Sequence, residues 1–108
     1  MVTTAIEEWI PEIVERLVRG FDPDKIIVFG SHARGEAGPY SDVDLLVVLP
    51  EVSEGRREVF AMLDELRDVP GRPDIFVTSP EEIERRGDLI GTVLRPALRE
   101  GRVVYERG

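Results

Sequence analysis

In the stretch "FGSHARGEAGPYSDVDLLVVLP", Phe29 to Pro50, the apolar run Leu45–Leu49 begins with two aspartates one residue apart, Asp42 and Asp44. A Gly-Ser pair lies just upstream. A run this apolar belongs in a core, and a buried carboxylate costs free energy unless something pairs with it. Any fold open to this chain must bury Leu45–Leu49 and still give Asp42 and Asp44 a partner. Asp74 repeats the pattern at the head of a third apolar run, "DIFVT".

The remaining pattern supplies what covers these strands. Ile6, Trp9, Ile10, Ile13, Val14, Leu17 and Val18 fall on one helical face, with Trp9 in the core. Thr4 and Glu7 read as a capping box, Gly20 as the stop, and Pro11 as a kink or restart. "KIIVF", Lys25 to Phe29, is a short branched run and hence a strand, ended by Gly30. His32 to Ala37 reads as a short helix, Gly38-Pro39 as a turn and Val43–Leu49 as the second strand. A second amphipathic helix spans Arg56–Arg67, and "DVPGRP" is a loop before the strand Asp74–Thr78. Ser79-Pro80-Glu81-Glu82 starts another helix, with Glu82 completing a capping box. A last stripe, Leu89 to Leu98, is disturbed by Pro96 and followed by a fourth strand, Arg102–Glu106. The fold class is α/β (α+β): one domain over residues 1–108, with helices covering a small sheet.

Composition narrows the function. The chain has 108 residues, no cysteine and a formal net charge of -8. Disulfides, thiolate metal sites and cysteine nucleophiles are excluded. The acidic balance argues against direct nucleic-acid binding, which needs clustered Lys and Arg. It leaves phosphate substrates open, because a metal ion can supply the positive charge. No apolar run is long enough for a membrane helix, and the acidic N-terminus is unlike a signal peptide, so a cytoplasmic protein is expected.

On a strand, residues two apart share a face and lie about 7 Å apart. Asp42 and Asp44 therefore make a carboxylate pair suited to a hard divalent cation such as Mg²⁺, with Mn²⁺ as a substitute. Glycine at residue 30 lets backbone approach a ligand closely, and the helix expected after it would offer N–H groups to phosphate, with the Ser31 hydroxyl as a further donor. Strands starting at one edge of one sheet would bring Asp74 to the same place. It would ligate a metal or accept a proton there. Arg34 is a candidate phosphate contact, with pairing to Glu36 as the alternative reading. His32, the only histidine, is not needed for catalysis, because the metal and Asp74 already supply the base.

"GS", ten residues and then "DVD", with a further carboxylate on a later strand, resembles the signature of the DNA polymerase β-like nucleotidyltransferase superfamily. The short chain and its closing "LREGRVVYE" resemble the minimal nucleotidyltransferases of prokaryotes. The resemblance implies a mixed sheet flanked by helices, a nucleoside triphosphate such as ATP, Mg²⁺, and transfer of a nucleoside monophosphate to an acceptor hydroxyl. Carried onto this chain, it implies that Gly30 and Ser31 bind the triphosphate. It assigns Asp42 and Asp44 to the metals, and Asp74 to the catalytic metal and the acceptor proton. Many relatives have arginine directly after Gly-Ser. This chain has His32 there and retains Arg34 two residues on. Minimal members often resemble antitoxins paired with a HEPN-domain toxin, neutralised by adenylylation of a tyrosine or by direct binding. A homo- or hetero-oligomer fits that setting, and a stand-alone enzyme acting on a small hydroxylated molecule is the remaining alternative.

Overall fold

In the computed structural model, the residues described are 5–30, 44–52, 55–69, 73–87 and 94–107, with side chains from Trp9 onward. The elements run α1 (Ala5–Phe21), β1 (Lys25–Phe29), β2 (Asp44–Val48), α2 (Gly55–Glu65), β3 (Asp74–Thr78), α3 (Pro80–Arg86), α4 (Leu94–Glu100) and β4 (Arg102–Glu106). The expected cap at Thr4, the helix at 32–37, the turn at 38–39 and the residues Leu89, Ile90 and Val93 lie outside the described residues.

The strands form one sheet in the order β3-β2-β1-β4. β1 pairs antiparallel with β2 and β4, and β2 pairs parallel with β3, so the sheet is mixed. Its runs are apolar at successive positions because both faces are covered. Ile26, Val28, Leu45, Val47 and Ile75 pack under α1 and α2 with Ile13, Leu17, Met62 and Leu66. Ile27, Phe29 and Leu46 point the other way and pack on Leu94 and Ala97 of α4. Trp9 is half-buried against the first cluster, as its helical stripe predicts. Among the described residues, no helix is long and apolar enough to cross a membrane.

Local signals were settled by packing in three places. α1 runs through Pro11 without a restart, its later turns carrying the fully buried Ile13 and Leu17. The helix stops at Asp22 rather than at Gly20. Asp22 takes φ 49° and donates its N–H to the Val18 carbonyl at 3.0 Å, a left-handed cap that aspartate tolerates. Pro96 lies within α4, whose described part runs from Leu94 to Glu100. Only half of the capping box at α3 forms. Ser79 Oγ accepts from the Glu82 N–H at 3.2 Å, while Glu82 Oε1 accepts instead from the buried Thr78 hydroxyl at 3.1 Å.

Two ionic ties fix the helical layer and the outer strand. Arg16 of α1 donates to both carboxylate oxygens of Asp68, at 2.5 and 3.1 Å, and to the Glu65 carbonyl at 3.1 Å, holding α1 to the end of α2. Arg107, just past β4, pairs with Asp22 at 2.6 Å and donates its backbone N–H to the Asp24 carbonyl at 2.8 Å.

The hydrogen bonds from Arg16 hold the Asp68 carboxyl below its ordinary range, with a smaller contribution from its own backbone N–H. A folded-state value below the unfolded one means that the Arg16–Asp68 tie stabilises the fold above about pH 4, the ordinary carboxylate value. That stabilisation fades as pH falls through the lowered value. Thermal unfolding of the wild-type protein and Asp68→Asn should therefore differ at pH 7 and converge toward pH 3. A gap that stays constant across this range would rule out the linkage.

Candidate active site

The site is built at one end of the sheet, where β1 finishes and both β2 and β3 begin. The antiparallel register sets Phe29 opposite Asp44, and the parallel register sets Asp44 opposite Asp74. Paired residues on neighbouring strands point to the same face, with the strands about 4.8 Å apart. Asp44 and Asp74 therefore share the face that carries Leu46 and α4. Asp44 is half-buried and Asp74 exposed. The charges sit at this end because the next residues of β2, Leu45 to Val48, are buried on both faces.

Gly30 closes β1 with φ 75°, a conformation that costs a side-chain-bearing residue about 1–2 kcal/mol. Asp44 adds a second reason for glycine. A Cβ on residue 30 would collide with Asp44 Oδ2 and lie 3.4 Å from its Cγ. The carboxylate thus rests directly over the Gly30 backbone, in space that any side chain would fill.

The donors at this end are carboxylate oxygens, which suit a hard cation such as Mg²⁺. Two carboxylates in register on adjacent strands, one of them placed by the Gly30 turn, fit such an ion. Among the described residues no third acidic or histidine side chain joins them. Asp42, the remaining carboxylate expected from the sequence, lies outside the described residues, as do Ser31, His32 and Arg34. The structure thus brings together Gly30, Asp44 and Asp74.

The sequence reading did not single out the aromatic floor beside the carboxylates. The rings of Phe29 and Phe76 meet with centroids 5.6 Å apart at 54°. Phe76 follows Asp74 by two residues, and Phe29 is paired with Asp44, so both share the carboxylate face. Strand alternation alone was the signal that could have found Phe76.

Comparison with known proteins bears on the family and the fold. The family description "Nucleotidyltransferase domain" matches residues 8–104. The chain belongs to the nucleotidyltransferase domain family. It is 40% identical over 77 residues to the bifunctional uridylyltransferase/uridylyl-removing enzyme of Bordetella pertussis, covering 68% of this chain and 9% of that enzyme. It is 35% identical over 66 residues to "Putative protein adenylyltransferase MJ1305" of Methanocaldococcus jannaschii, covering 61% of this chain and 44% of that protein. The chain therefore spans less than half the length of either relative. Among solved structures, it resembles a putative nucleotidyltransferase from Sulfolobus solfataricus, with TM-score 0.63 and 25% identity over 99% of this chain and 91% of the other. A toxin-antitoxin structure with AMP-PNP shares the fold at TM-score 0.63 and 17% identity, over 89% of this chain and 73% of that one. The mixed sheet implied by the resemblance is the one observed.

In this nucleotidyltransferase domain, Gly30→Ala should cost more than the backbone strain of about 1–2 kcal/mol, because the new methyl also displaces the Asp44 carboxylate. In an Asp44→Ala background the nearest remaining atom is Cβ, 3.8 Å away and in ordinary contact. The cost of Gly30→Ala should then fall back to the strain alone. Urea denaturation of the four proteins in this double-mutant cycle measures the difference, and strict additivity would refute the close approach.

Proposed function

We propose that this domain is a metal-dependent nucleotidyltransferase that moves AMP from ATP to an acceptor hydroxyl. The observation that carries the reading is the in-register pair of Asp44 and Asp74 over the glycine turn at residue 30. Asp44, Asp74 and, by its place in the sequence, Asp42 would hold Mg²⁺, which supplies positive charge against the triphosphate when bound. Gly30 and Ser31 would receive the phosphates on backbone and hydroxyl donors, with Arg34 as a cationic contact. Asp74, the more exposed carboxylate, would take the proton from the attacking hydroxyl. The new bond joins the acceptor oxygen to the α-phosphorus. The bond from the α-phosphorus to the bridging oxygen breaks, and pyrophosphate leaves.

Adenine is favoured by the relative named as a protein adenylyltransferase, while the Bordetella relative's name makes UTP the competing donor. The likeness to a toxin-antitoxin structure suggests the setting. In that setting the domain is a cytoplasmic antitoxin, and the acceptor is a tyrosine of a HEPN-domain toxin.

Calorimetry should show ATP binding only with Mg²⁺ or Mn²⁺, and loss of binding on chelation. Asp44→Asn or Asp74→Asn should lower transfer by about a hundredfold or more. Intact-mass analysis of a helical protein encoded by a neighbouring gene, incubated with this domain and ATP or UTP, should show one or more added nucleotide units. A stable complex without a mass change would replace this reading with neutralisation by contact. Unaltered ATP affinity in both aspartate variants would remove the metal assignment.

A further inference from the structure

The two rings that meet beside the carboxylates belong to strands that are not neighbours. Phe29 is on β1 and Phe76 on β3, with β2 between them. On the face covered by α4, the register makes two cross-strand rows. Phe29, Asp44 and Asp74 form the row at the sheet end, and Ile27, Leu46 and Phe76 form the row one step inward. The two phenylalanines are therefore diagonal partners, two strands and one row apart. Two strand spacings and a two-residue step put their backbones about 12 Å from each other. Their ring centroids are only 5.6 Å apart. Both side chains must then lean over β2, and the line joining them crosses that strand between Asp44 and Leu46.

This aromatic bridge divides the α4 face in two. Inward of it lie Leu46, Leu94 and Ala97, all buried. Outward of it lies the Asp44 carboxylate, seated over the Gly30 backbone. The Gly30 backbone limits the carboxylate from below, and the rings limit its swing inward along β2. The rings also keep water from its inward side. A carboxylate with less competing solvent attracts a cation more strongly. Phe29 is buried with the inner group, while Phe76 is 36% exposed, so a change at Phe76 opens the bridge with less disturbance of the core.

We propose that Phe76 is a positioning residue for the divalent cation, acting through Asp44. Its ring, braced on Phe29, keeps the Asp44 carboxylate at the sheet end and closes the dry interior behind it. The assignment rests on the nucleotidyl-transfer reading for the presence of a cation. It adds that the carboxylates hold the cation tightly only when an aromatic ring at residue 76 reaches across β2. Tyrosine has that reach. Leucine is equally apolar and falls short of Phe29.

The test reads Mn²⁺ binding by electron paramagnetic resonance, with no nucleotide and no acceptor. Phe76→Ala and Phe76→Leu should each weaken Mn²⁺ binding by about tenfold or more. Phe76→Tyr should bind as the wild-type protein does. Ile13→Val, which loosens the core on the opposite face of the sheet, should leave Mn²⁺ affinity unchanged. Should Phe76→Ala fail to fold, Phe76→Leu against Phe76→Tyr decides alone. Wild-type affinity in Phe76→Leu, an equal loss in Phe76→Tyr, or an equal loss in Ile13→Val would each overturn the proposal while the metal assignment stands. Mn²⁺ binding that is absent from the wild-type protein, or unchanged by Asp44→Asn, would overturn both.

Discussion

A strand buried on both faces can carry a charge only where it emerges from the core. β1 and β2 are such strands, sealed by α1 and α2 on one face and by α4 on the other. The polar chemistry of this sheet is therefore displaced to its ends. At one end, β2 and β3 start level with each other, and β1 stops beside them. The register that packs Leu45 against Val28 and Ile75 is the same register that sets Asp44 against Phe29 and Asp74. Core packing and site geometry are thus one constraint, and a slip of β2 by one residue would turn Asp44 to the α1 face, away from Asp74.

The described ion pairs tie helices to one another and the outer strand to the rest. Four of the fourteen lysines and arginines are held in the following ion pairs. Arg16 is held by Glu12 and Asp68, Arg85 by Glu81, Arg67 by Asp64, and Arg107 by Asp22 and Asp24. These side chains are committed to holding helices and the outer strand. With a formal net charge of -8, the chain as a whole repels a triphosphate, and a bound cation would offset that repulsion.

The carboxylate pair was legible in the sequence because period-two alternation and strand starts are local properties. "DLLVV" and "DIFVT" each announce an aspartate followed by a core run. The meeting of Phe29 with Phe76 was not legible, since it depends on which strands lie side by side. The helix stop at Asp22 was hidden because Gly20 and Asp22 can both take a left-handed turn, and sequence alone favours the glycine. The Glu82 carboxylate had two local donors available, and burial of the Thr78 hydroxyl settled the choice. In each case the missing information was a contact between segments distant in the chain or a competition between neighbours.

The place of β4 beside β1 bears on how such a chain is made. Lys25 pairs with Glu106, and Ile27 with Val103, so one side of β1 is closed by residues near the other end of the sequence. During synthesis, β1 can pair with β2 early, while its second side waits for residues 102–106. Through that interval Ile26–Phe29 presents an undefended apolar strand of the kind that joins other nascent chains. Arg107, clamped onto Asp22 and Asp24, reaches across to the turn that precedes β1. It thereby links segments 85 residues apart and holds the closing strand against the turn where the sheet starts.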